Sequence, residues 1–164
     1  MAFYCRDCEK EHEGLPDLGM GLPDAYFGVP AEERKERVWK TQDLCVITYE
    51  DGQTDYFIRG VLHLPLVNEQ GTFGIGIWVS QSEENFERYV EDQEEEMDST
   101  FGWLANQIDF YEKETLALKT RVHFEGGRMR PTIELEPTDH PLAVDQREGI
   151  TLEKAWKIVH RYMD

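Results

Sequence analysis

The sequence predicts an α+β domain, a mainly antiparallel sheet flanked by helices, with a zinc-knuckle-like segment at its N-terminus. Three observations carry this reading. Alternating apolar and polar residues surround an Asp51-Gly52 turn, the pattern of a β-hairpin. A second alternating pair surrounds Gly126-Gly127. Helical stripes then open behind a capping box at Ser80–Glu83 and behind Thr151. The 164 residues suit a single domain spanning 1–164, divided into an irregular metal-knuckle and loop over 1–30 and an α+β core over 31–164.

Residues 1–30 are rich in Cys, Gly and Pro and lack helical periodicity, with breaks at Pro16, Pro23 and Pro30. The run AEERKERVWK follows Pro30 and reads as a short helix. Leu44 to Glu50 alternates as a strand and turns at Asp51-Gly52. The return strand runs from Asp55 to Leu64 and stops at Pro65. Tyr56, Ile58, Gly60, Leu62 and Leu64 share one face; Phe57, Arg59, Val61 and His63 share the other. Phe73 to Ser80 is the clearest strand. Phe73, Ile75, Ile77 and Val79 should meet the core, and Gly74, Gly76, Trp78 and Ser80 point away. Two glycines on one face leave room for another backbone, a side chain or a ligand.

Ser80-Gln81-Ser82-Glu83 matches a capping box, so a helix should start here, with Phe86, Tyr89, Val90 and Met97 as its stripe. Its remaining surface is acidic as far as Asp98. Phe101 to Tyr111 is ambiguous and reads as partly irregular. Thr120–Glu125 and Pro131–Glu136 read as strands around Gly126-Gly127. Thr151 caps a final helix with the stripe Leu152, Ala155, Trp156, Val159 and Met163.

The net charge is −17, from 17 Lys and Arg against 34 Asp and Glu. Such a surface repels phosphate backbones and anionic lipid heads, which disfavours nucleic-acid and membrane partners. A basic protein partner suits it, and that association would weaken with salt. No apolar run approaches the roughly eighteen residues of a membrane span, and the N-terminus lacks the apolar stretch of a signal peptide. The expected location is cytoplasmic.

Cys5-x-x-Cys8-x-x-x-His12 gathers ligands suited to zinc, and Cys45 is the natural fourth. A structural zinc on Cys5, Cys8, His12 and Cys45 would staple the loop-rich N-terminus to the sheet, with His63 as a substitute for His12. Three free cysteines beside an unrelated histidine is the plainer alternative. A thioredoxin-like redox pair is disfavoured, because no helix pattern follows Cys5 to depress a thiol pKa.

Cys5-x-x-Cys8 followed by His12-Glu13-Gly14-Leu15-Pro16 resembles the opening of a bacterial family of unknown function, DUF2199. Asp43-Leu44-Cys45, FIRGVLHLPL from Phe57, GIWVS from Gly76 and HPLAVDQREGI from His140 to Ile150 resemble it further, in order along nearly the whole chain. The resemblance implies one family domain and supplies no activity.

Two surfaces are candidates for chemistry or binding. If the faces carrying Arg59, His63 and Trp78 coincide, they form a groove for an anionic or aromatic ligand. The alternative is that Arg59 pairs with a carboxylate and Trp78 packs. The stretch His140–Gly149 reads as a polar, turn-rich loop in which His140 would be a general base oriented by Asp145 or Glu148. Equally, Gln146 and Arg147 cap backbone groups there, or contribute to a partner surface. No nucleophile elbow, P-loop or dinucleotide fingerprint accompanies these residues. The leading expectation is therefore a non-enzymatic binding module with a structural zinc. The alternatives are a metal-dependent or acid–base enzyme using His140, Arg59 and His63, and an immunity-type protein binding a basic toxin.

Overall fold

The computed structural model describes residues 2–5 and 10–163, with side chains from 14 to 162. Strands β1 (Ala2–Cys5) and β2 (Lys10–Glu13) pair as a separate antiparallel hairpin. The short strand β3 (Leu18–Gly19) and helix α1 (Asp24–Phe27) follow. Residues 1–30 thus hold regular elements where irregular chain was expected. None is long enough to show a period. After a 3-10 turn (Ala31–Glu33), α2 spans only Arg34–Arg37. The helix expected to reach Lys40 ends early because Val38–Lys40 become strand β4, paired with β5 (Leu44–Thr48). β-Branched and aromatic residues fit that pleated surface, and Val38 and Trp39 supply both types.

The centre of the fold is the hairpin of β6 (Thr54–Pro65) and β7 (Thr72–Gln81), in register from Tyr56↔Gln81 to Pro65↔Thr72. Ser82 caps α3 (Glu83–Glu91), its hydroxyl accepting from the Asn85 N–H at 3.1 Å. The cap is therefore Ser82. Ser80 and Gln81 remain in β7, where the Ser80 hydroxyl accepts from Trp103 N and the Gln81 amide donates to the Phe101 carbonyl. α3 stops at Glu91, so the acidic helix expected over Ser82–Asp98 is little more than half that length. Asp92 turns its carboxylate onto the N–H groups of Glu94 and Glu95, a local bond that competes with continued helix.

The ambiguous segment contributes β8 (Thr100–Trp103), antiparallel to β9 (Lys119–His123), which pairs with β10 (Thr132–Leu135). Among the described residues, β3 to β10 form one eight-stranded mixed sheet. Most of its pairs are antiparallel. The two parallel ones are β3 with β7 and β10 with β6. A bridge between Leu104 and Val79, with Ala105 N donating to Trp78 O at 2.8 Å, brings the end of β8 back to β7, so the sheet curls on itself.

The His140–Gly149 segment is helix α4 (Pro141–Glu148), not a turn-rich loop. Pro141 occupies the first helical turn, where its missing N–H costs nothing, so a residue that resembles a break marks a start. Gly149 closes the helix at φ 87°. Thr151 precedes α5 (Leu152–Met163) and accepts from Lys154 N at 3.0 Å.

The inner face of the curled sheet holds the core. Phe73, Ile75, Ile77 and Val79 of β7 are all fully buried, as their alternation predicted. They meet Leu62 and Leu64 of β6, Val122, Ile133 and Leu135 of β9 and β10, and Phe86, Leu142, Ala155, Ile158 and Val159 of the helices. Complete burial of each such aliphatic contributes about 1.5–3 kcal/mol. A second cluster joins Val29, Cys45, Ile47, Phe57, Trp78 and Ala105. No helix among the described residues is long and apolar enough to cross a membrane.

Candidate functional site

The expected groove of Arg59, His63 and Trp78 is not assembled. Trp78 is fully buried, with its indole N–H donating to the Met20 carbonyl at 2.9 Å. An indole sealed in a core cannot wall a ligand groove. His63 lies four residues along β6, exposed, with Nδ1 3.1 Å from the Thr72 hydroxyl. Cross-strand register explains the separation: Trp78 opposes Arg59, whereas His63 opposes Gly74.

His140 does not contact Asp145 as a base contacts its orienter. Its Nδ1 accepts from Leu142 N at 3.0 Å, capping α4, so the ring proton resides on Nε2, which donates to the Glu114 carbonyl at 3.0 Å. Both nitrogens are committed to backbone. Asp145 instead accepts from the Tyr111 hydroxyl at 2.7 Å and pairs with Lys154 Nζ at 2.6 Å. Burial, and after it the Asp145 hydrogen bond, push the Tyr111 phenol far above its ordinary range. Gln146 accepts from Leu135 N at 2.8 Å and donates to Ile133 O at 2.9 Å, and Arg147 donates to Thr138 O at 2.8 Å.

Gln146 and Arg147, but not His140 or Asp145, border a cleft of about 590 Å³ that also takes in His63, His123 and Glu134. His123 is bonded to Glu134 at 2.9 Å, so the polar groups named around this cleft already have partners.

Cys8 lies outside the described residues, as do the side chains of Cys5 and His12. Cys45 is fully buried among Ile47, Phe57 and Trp78, and burial pushes its thiol up to about 11, against a smaller opposing effect of Lys40. Among the described residues, no group of three or more His, Cys, Asp or Glu side chains is placed to hold a metal ion.

A second, smaller cleft of about 220 Å³ has different chemistry. Arg59, Arg130, Asp17, Gly19, Gly74 and Gly76 border it. The glycines that the sequence left open on β7 have a clear use. The Arg59 guanidinium lies against Gly19 and Gly76: a Cβ built at Gly19 would stand 2.8 Å from its terminal nitrogen, and one at Gly76 would stand 3.5 Å from Nε. Asp17 fills the space above Gly74, accepting from its N–H at 3.2 Å. β3 supplies this wall through its parallel pairing with β7, and Arg130 reaches the cleft because β10 joins β6 beside Val61.

Arg130 is neutralised by Asp43, with Nε and a terminal nitrogen both 3.0 Å from one carboxylate oxygen. Arg59 has no such partner. Its Nε is buried without a hydrogen bond, and among the described residues no side-chain bond or ion pair engages its guanidinium. Burial lowers its pKa, the neighbouring Arg130 lowers it further, and Asp43 partly offsets both. Arginine keeps its proton regardless, so the cost falls on the buried Nε–H of a side chain that is half-buried as a whole.

Sequence reasoning named Arg59 but missed Arg130 and Asp17. Both precede short strands in proline-bearing segments, and no local period marks them. The paired glycines of β7 were the legible signal.

The profile of DUF2199, described as an uncharacterized protein conserved in bacteria, matches residues 4–150, so the chain belongs to that family. No curated protein and no solved structure matches it.

Proposed function

We propose that this DUF2199 chain is a binding module whose ligand presents a small oxyanion, a carboxylate or phosphate, to Arg59 in the cleft beside Arg130. The observation that carries the reading is the unpartnered Nε of Arg59. Acidic residues outnumber basic ones two to one, 34 against 17, so carboxylates to neutralise a guanidinium are abundant. A desolvated donor left unpaired costs roughly 1–3 kcal/mol, more for a charged group. Its retention is explained by a ligand that completes the bond, and guanidinium geometry suits planar or tetrahedral oxyanions.

In this reading a zinc on the Cys5, Cys8 and His12 knuckle is architectural. Cys45 is the weakest of the four expected ligands. Thiolate is the ligating form, and burial opposes its formation. Metal content of the wild type, compared with Cys5→Ser and Cys45→Ser, tests this point. Loss of about one zinc per chain in both variants supports the full set of four.

The anion site is tested by titrating phosphate and acetate into the wild type and Arg59→Met, followed by amide chemical shifts. Shifts centred on Gly19, Gly74 and Gly76 that vanish in the variant support the site. Equal shifts in both proteins would sink it. Stability gives an independent reading. A ligand-binding arginine leaves Arg59→Met as stable as the free wild type or about 1 kcal/mol more so. A structural arginine gives a clear loss.

A further inference from the structure

We infer that the ligand is a zwitterion, a small α-amino acid or a molecule with the same ammonium–carboxylate unit, its carboxylate on Arg59 and its ammonium on Asp17. This rests on the anion reading of the cleft and adds its second pole.

Three charged residues line the cleft, Arg59, Arg130 and Asp17, and Asp43 pairs with Arg130 from outside the lining. Arg130 and Asp43 neutralise each other at 3.0 Å. That leaves one cation and one carboxylate in the same cleft, and among the described residues they form no ion pair with each other. Asp17 uses one oxygen on Gly74 N, and its other oxygen has no hydrogen bond among the described residues. Asp17 is exposed, so water solvates that oxygen in the free protein, and a simple anion on Arg59 would stand beside its negative charge. A zwitterion satisfies both and leaves the formal charge of the site at zero.

The spacing agrees. Arg59 rests against Gly76 and Asp17 against Gly74, two residues apart on one face of β7, which is roughly 7 Å along a strand. In an α-amino acid the ammonium nitrogen and carboxyl carbon are about 2.5 Å apart. Adding the carboxylate C–O bond and a hydrogen bond of about 2.8 Å at each end gives a longest reach of about 9 Å, enough to bridge that separation. The volume of about 220 Å³ leaves room for a small α-amino acid with space to spare. The glycines set the floor. A methyl at Gly74 would stand 2.9 Å from the Asp17 oxygen and one at Gly19 would stand 2.8 Å from the arginine, so either would displace a pole.

The test uses the full chain and matched probes: glycine and alanine against acetate and propionate, the same skeletons without the ammonium, with inorganic phosphate as a plain anion. Binding is followed by calorimetry and amide shifts. The expected result is at least tenfold tighter binding of the amino acids. Asp17→Asn, which retains an oxygen for Gly74 N, should erase that preference while leaving the acetate affinity unchanged or improved. Arg59→Met and Arg59→Lys should weaken every probe, lysine less. Equal binding of alanine, propionate and phosphate, indifferent to Asp17→Asn but lost in Arg59→Met, overturns the zwitterion and keeps the anion site. No binding of any probe by the wild type overturns both.

Discussion

Replacing Gln146 with alanine removes two hydrogen bonds at once, and their geometry sets the expected loss. β10 pairs with β6 only at Thr132↔Val61, and its other edge is taken by β9. Past that point the Ile133 carbonyl and Leu135 N–H lack a strand to meet. The Gln146 amide occupies that place, donating to one at 2.9 Å and accepting from the other at 2.8 Å. Each bond contributes about 1 kcal/mol net, and two half-buried backbone groups lose their partners, so Gln146→Ala should cost roughly 2–3 kcal/mol. Gln146→Glu separates donor from acceptor. At neutral pH its carboxylate accepts from Leu135 N but opposes the Ile133 carbonyl, so it should be at least as unstable as alanine. When protonated, the introduced carboxyl regains a donor. Its folded pKa is then raised above the unfolded value of about 4.3. Its stabilising contribution is present below that value and is lost as pH rises through the folded pKa. Urea denaturation of the three proteins at pH 7.5 and pH 4.5, followed by circular dichroism, reads both effects. Gln146→Ala within 0.5 kcal/mol of wild type, or no gain of Gln146→Glu over alanine on acidification, would refute the strand-mimic account.

Gly60→Ala should lower stability by roughly 2–3 kcal/mol on thermal unfolding, because the new Cβ would stand 2.8 Å from the Pro131 carbonyl and 2.6 Å from Ile133 Cδ1. Unchanged melting would show that β6 and β10 can separate freely. Cys45 should resist aromatic disulfide reagents in the native state and react on unfolding, as a thiol pushed up to about 11 predicts. The unfolded thiol ionises from about 9.0, so its contribution is complete below that pH and is lost as pH rises to about 11, roughly 3 kcal/mol in all. Cys45→Ala should be less stable at pH 8 yet flatter across that window. A parallel fall in both proteins would remove the thiol from the account.

Local periodicity made the large elements readable. β6 and β7 alternate without interruption, and their predicted inward residues Leu62, Leu64, Phe73, Ile75, Ile77 and Val79 are all buried. Turn chemistry at Gly52, Gly126 and Gly127 agrees with their positive φ. Where two local signals competed, the reading failed. His140–Gly149 read as a turn-rich loop, although Pro141 opens α4 there. Glu94 to Glu96 resembled helix, although Asp92 had ended α3 by bonding to the following N–H groups.

The candidate site was legible in part for the same reason. A period of two identifies which residues share a face, so Arg59 and the open glycines Gly74 and Gly76 followed from the sequence. Their partners did not. Asp17 and Gly19 reach β7 through a parallel pairing of two residues, and Arg130 reaches β6 through one, contacts too short to leave a periodic trace. The sequence by itself determined strands β5, β6, β7, β9 and β10, their hairpin turns, the acidic charge and the family. Only the tertiary structure decided that Trp78 is core, that His140 is a helix cap and that Arg59 and Asp17 line one cleft with Gly19, Gly74 and Gly76, because these depend on pairings between segments distant along the chain, whose contacts no local propensity encodes.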